Sequence, residues 1–285
     1  MRHCRVLAVR LQFAKHVVKR HSVDQTASGR VVRPTARGRR LLVLTLTALI
    51  ILLVAAGTIG EIARLGFGYD TALGLVRLSG LGQEANVPTW FASATLIMGG
   101  MFAGLIALLP VAEVRAASAK WSAFSAVLVL MSLDETAVIH ESLPYFLALS
   151  LLSPEGGPWY VIYAWIVPGA AVLGFVVWWF VPLWRTFPPP LRRRMTLAAV
   201  VFFGGAFGLE LAEAAWASQF DTNHFGYSAL WTTQEALEMA GVAMLIVGLY
   251  DYLLENGLAI SLTCEPKTTG LSDLGACAAE AAQPI

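Results

Sequence analysis

The stretch LLVLTLTALIILLVAAGTIG, residues 41–60, decides the fold. It runs for 20 residues without a charge. That is the length a helix needs to cross a hydrocarbon core about 30 Å thick. Inside lipid the backbone must satisfy its own hydrogen bonds, so an uncharged run of this length reads as a spanning helix. Five further segments follow at 89–111, 121–142, 158–184, 195–216 and 230–254. The third, fifth and sixth of the six are interrupted by acids. The chain as a whole agrees: 57% of its 285 residues are hydrophobic, only 14% are charged, and the net charge is +1. A soluble domain carries about 25% charged residues. The composition excludes a disordered chain, a collagen, a basic nucleic-acid-binding domain and a disulfide scaffold. The expected fold class is all-α, a polytopic integral membrane bundle of about six transmembrane helices, with the lipid bilayer as partner and no nucleic acid.

The flanks differ from this middle. Residues 1–40 hold eleven Lys/Arg and one acid, Asp24, and show weak periodicity. They are expected to form a basic cytoplasmic tail without a fixed fold. Residues 41–254 are the membrane domain, and residues 255–285 are read as a polar cytoplasmic tail. Cys4, Cys264 and Cys277 are far apart in sequence and make no C-x-x-C motif, so neither a cysteine metal site nor a disulfide framework is expected.

Lys and Arg set the orientation. With the N-terminus inside, 18 of the 20 Lys/Arg fall in cytoplasmic segments and only Arg64 and Arg77 fall outside. The positive-inside rule then places both termini in the cytoplasm and the loops 61–88, 143–157 and 217–229 outside. Trp90, Trp159, Trp216 and Trp231 near outer helix ends, and Trp121 and Trp184 near inner ones, read as an aromatic belt.

Acids within spans are costly and mark functional sites. The third segment carries Asp134, Glu135, His140 and Glu141, the fifth Glu210 and Glu213, and the sixth Glu235 and Glu238. At 1.5 Å per residue, Asp134 lies about 20 Å and Glu210 about 22 Å from the inner ends of their helices. Glu235 and Glu238 lie about 8 and 12 Å below the outer surface. All three groups therefore occupy the same outer third of the core. Positions three or seven apart share a helix face, as do Asp134 and Glu141, Glu210 and Glu213, and Glu235 and Glu238. So many acids converging in low dielectric must hold a cation, share protons or open onto water.

The metal reading makes Asp134, His140, Glu210, Glu213, Glu235 and Glu238 candidate ligands or acid/base groups, with Glu135, Glu141 and His224 as weaker candidates. Carboxylate-rich ligation favours divalent iron, manganese, magnesium or calcium. The Glu-x-x-His pair of di-iron bundles is missing, because Glu135 and His140 are five apart. Three functions compete: a metal-dependent membrane enzyme acting on a lipid or membrane-soluble substrate, a proton- or cation-coupled transporter, and a binding or assembly subunit without turnover. Glu61 and the run Tyr250, Asp251, Tyr252 and Glu255 are expected to be solvated helix ends. Gly204 and Gly208 form a G-x-x-x-G face expected to contact another helix.

The segments EANVPTWFAS (84–93) and LMSLDETAVIHES (130–142) resemble signatures of an uncharacterised family of bacterial multi-pass membrane proteins. That family has E-x-N-x-P-T-W and L-D-E-x-x-x-x-H-E stretches and acidic later helices. The resemblance covers about residues 60–250 and implies a bacterial plasma-membrane location.

Overall fold

The computed structural model describes residues 5–13, 30–109, 111–140, 142 and 166–266. The chain divides into a helical unit, Thr35–Glu255, and a second unit built from the two terminal segments.

In the helical unit α1 spans Ala36–Glu61, capped by Thr35, whose hydroxyl accepts from the Gly38 N–H at 2.9 Å. A single π turn, Ile62–Gly66, prolongs it. The short helix α2 (Leu75–Ser79) leads to α3 (Val87–Ala107). Pro88 sits in the first turn of α3 and the Asn86 side chain caps it, accepting from the Thr89 N–H at 3.1 Å. Then come α4 (Ala112–Ala116), α5 (Ser118–Ala137), α6 (Ile166–Thr186) and α7 (Pro189–Phe203). A π turn, Gly204–Leu209, joins α7 to α8 (Glu210–Ala217), and α9 (Phe225–Glu255) closes the unit. The core runs along α9, which packs on α1, α3 and α7, while α3 packs along α5.

Among the described residues five helices are long and apolar enough to cross a membrane: Ala36–Gly66, Val87–Ala107, Pro168–Thr186, Pro189–Ala217 and Phe225–Glu255. The helical unit is an all-α polytopic membrane bundle. Large side chains such as Ile51, Leu52, Met101, Phe175 and Trp178 are exposed on its helices. That apolar surface suits lipid and would be a liability in water. The third expected span corresponds to α5, which Lys120, Asp134 and Glu135 set apart from those five helices.

Several expectations are corrected. Among the described residues of the terminal segments, β1 (Arg5–Phe13), β2 (Arg30–Val32) and β3 (Leu258–Pro266) form an antiparallel sheet in the order β1-β3-β2. The register sets Leu7 against Cys264, Val9 against Leu262, Leu11 against Ile260 and Phe13 against Leu258. This is a period-two pattern on both strands, and a search for helical periodicity misses it. Trp121 is a core residue and not part of an interfacial belt: it is 1% exposed, with ring centroids 5.2 Å from Phe187 and 6.0 Å from Tyr252. Gly204 and Gly208 face open space, and Gly205 makes the close contact instead, 2.9 Å from the Gln234 carbonyl oxygen to an added Cβ. The π turn is the cause, since its extra residue rotates the face that meets α9.

Glu61 and Asp251 are buried, at 5% exposure each, and neither is a solvated end. Glu61 accepts from Arg64 Nη2 at 2.7 Å and from the Ser228 hydroxyl at 3.0 Å. Asp251 accepts from Arg39 Nε at 2.6 Å and Arg194 Nη1 at 2.5 Å, tying α1 and α7 to α9.

Candidate carboxylate site

The site is built on one turn of α9. Glu235 and Glu238 are three residues apart and share a face. With Glu135 of α5 they line a cavity of ≈ 10 Å³, together with Ala92, Thr95 and Leu96 of α3 and with Phe202, Met239 and Val242. That is about the room of one water molecule. Every charged side chain in its wall is a carboxylate. Glu235 lies within electrostatic reach of Glu238, Glu135, Glu84 and Glu213. Glu238 lies within reach of Glu135, Glu210 and His140.

Gln234 organises the second layer. Its Nε2 donates to Glu210 Oε2 at 3.0 Å. Its carbonyl Oε1 is buried and accepts no hydrogen bond. Glu210 opens α8 directly after the π turn, and Glu213, one turn on, is 7% exposed. The close approach of Gly205 to the Gln234 carbonyl, and of Gly241 to Phe202, lets α8 bring Glu210 within bonding distance of α9. A Cβ on Gly241 would stand 2.7 Å from the Phe202 backbone nitrogen.

The end of α5 makes a second element. Val138 adopts a left-handed conformation, φ 52° and ψ 43°, and stops the helix. For a β-branched residue this costs roughly 1–2 kcal/mol. The turn folds His140 back onto Asp134, whose carboxylate accepts from the His140 backbone N–H and pairs with the His140 Nδ1, both at 2.8 Å. Asp134 is therefore directed at His140, and the acid of α5 that lines the cavity is its neighbour Glu135.

A family model described as "Domain of unknown function (DUF8692)" matches residues 41–252. The chain belongs to this family. No curated protein and no solved structure matches it. The part matched as DUF8692 contains the whole carboxylate site and the Asp134–His140 turn.

The sequence-predicted residues of this DUF8692 chain thus fall into groups. Glu235 and Glu238 share the cavity with Glu135, Glu210 and Glu213 stand behind them, and Asp134 with His140 forms a separate pair. His224 does not join them. Its Nδ1 accepts from the Gly226 N–H at 3.0 Å, and its ring lies 5.6 Å from Trp216. Glu141 and the loop 143–157 lie outside the described residues. Among the described residues no three His, Cys, Asp or Glu side chains are arranged to hold one metal ion, so this geometry gives the metal reading no support.

Two participants were missed from sequence. Gln234 is uncharged, and only its place in the Q-E-x-x-E turn of residues 234–238 pointed to it. Glu84 precedes α3 and accepts from the Thr89 hydroxyl at 3.1 Å. Its loop is held to α9 at Gly82, where a Cβ would fall 1.8 Å from the Trp231 ring.

Proposed function

We propose that this protein is a proton-coupled integral membrane protein, with transport as its activity, in which Glu135, Glu235 and Glu238 bind and release protons. The observation that carries this reading is a cavity of ≈ 10 Å³ whose charged lining is three carboxylates. Ionised acids at such spacing in low dielectric repel one another strongly. A proton neutralises a carboxylate without needing further space. Gln234 supports the reading from the other side: it donates to Glu210, and its free carbonyl is an acceptor suited to the O–H of a protonated acid. His140, in electrostatic reach of Glu238 and paired to Asp134, is suited to pass protons between this cluster and water. With 18 of 20 Lys/Arg on the cytoplasmic side, the site opens to the outside of a bacterial plasma membrane and α5 is a sixth span.

Proton uptake by the solubilised protein, followed with a pH indicator from alkaline to neutral pH, tests the proposal. The wild type should take up more protons than the Glu235→Gln/Glu238→Gln variant. Equal uptake would remove the proton reading. A divalent metal bound stoichiometrically by the wild type and lost in the variant would restore the metal-dependent enzyme.

A further inference from the structure

Helices α5 and α6 leave a second opening, nearer the start of α5 than Glu135 is. Phe124 and Val127 of α5 and Phe175, Val176, Trp179 and Phe180 of α6 line a crevice of ≈ 240 Å³. All six side chains are aliphatic or aromatic. The crevice is preformed, since Phe124 stacks on Phe180 at 4.9 Å and Phe180 meets Phe187 edge-on at 5.9 Å. Phe187 in turn stacks on the buried Trp121. Such walls keep their shape without a ligand, which lowers the cost of filling them.

Lys120 stands at one end of this crevice. It precedes Phe124 by four residues and Val127 by seven, so the three share one face of α5. Its ammonium lies 6.0 Å from the Trp179 ring centroid. The ion pairs among the described residues engage Arg39, Arg64, Arg194 and His140, and Lys120 is in none of them. From Lys120 to Val127 the helix rises about 10 Å, so the crevice runs from the level of the charge well into the hydrocarbon layer. A cation at the rim with an apolar slot beneath it complements one kind of molecule, an acyl chain below an anionic head group.

We propose that this crevice binds one anionic glycerophospholipid, with an acyl chain between α5 and α6 and the phosphate on Lys120. Its volume suits part of one chain, below the roughly 300–1,000 Å³ of a small-molecule pocket. The site is separate from the carboxylate cluster and does not depend on its function.

The test uses the full chain in vesicles containing a trace of phosphatidylglycerol or phosphatidylcholine with a diazirine on the acyl chain. Peptide mapping after illumination reads where each lipid sits. In the wild type, phosphatidylglycerol should label residues 124–127 and 175–180 several-fold above the open lipid-facing surface around Ile51. Phosphatidylcholine should label them more weakly. Lys120→Gln should reduce phosphatidylglycerol labelling to the phosphatidylcholine level, and Val127→Trp should abolish both by filling the slot. Wild-type labelling spread evenly over the apolar surface would overturn the site, and this arm requires no variant to fold. Equal labelling by the two lipids would overturn the role of Lys120. Unchanged labelling in a folded Val127→Trp variant would overturn the placement of the chain.

Discussion

Helix α9 carries acid at two levels and treats it in opposite ways. At Asp251 two guanidinium groups from α1 and α7 surround one carboxylate. About 24 Å along the same helix, Glu235 and Glu238 meet Glu135 across a cavity with no Lys or Arg in its wall. Asp251 is answered by charge and serves as a clamp that fixes three helices. The Glu235 cluster is answered by an amide, Gln234, and by other acids. Buried charge with its partners supplied is structure. A carboxylate cluster without them is capacity for something that comes and goes.

The clamp should break most severely. Replacing both Arg39 and Arg194 by Ala leaves Asp251 buried and alone, a change that costs about 3–5 kcal/mol. Thermal denaturation in detergent should show a larger loss for this double variant than for a single substitution at Asp251, Glu238 or Gly241. The matched amide substitutions sharpen the contrast. Asp251→Asn should cost about 2–3 kcal/mol, less than the double variant because Arg39 and Arg194 are 40% and 42% exposed and can turn to water. Glu238→Gln should change stability by less than about 1 kcal/mol, because an amide resembles the protonated acid in shape and charge. Equal losses at the two positions would erase the distinction between the two ends of α9.

The packing behind the site gives a smaller effect. Gly241→Ala drives a Cβ into the Phe202 backbone and should cost about 1–3 kcal/mol, read as a lowered melting temperature. Gly204→Ala meets nothing within 4 Å, and adding a methyl to an exposed helical glycine should leave the protein unchanged or up to about 1 kcal/mol more stable.

Much of this arrangement was legible in the sequence, and what was missed has physical causes. Apolar runs of spanning length located the long helices, because lipid leaves the backbone few options. Acids at three-residue spacing marked Glu235 with Glu238 and Glu210 with Glu213. The burial of Glu61 and Asp251 was hidden because decisive partners come from afar: Ser228 is 167 residues from Glu61, and Arg39 is 212 from Asp251. Val138 gave no warning, since a β-branched residue is among the last expected at positive φ. That one residue turned His140 onto Asp134 and gave the cavity to Glu135. The π turn at Gly204–Leu209 likewise moved the close contact from Gly204 and Gly208 to Gly205, a phase change that an ideal helix does not anticipate.

Infrared difference spectroscopy of the full chain in lipid tests the proton-holding cluster most directly, because the carbonyl stretch of a protonated carboxylic acid is absent from an ionised one. At neutral pH the wild type should show this band, shifted in heavy water, and Glu235→Gln with Glu238→Gln should reduce it. A wild-type spectrum with ionised carboxylate bands alone, unchanged by the double substitution, would contradict a cluster that holds protons.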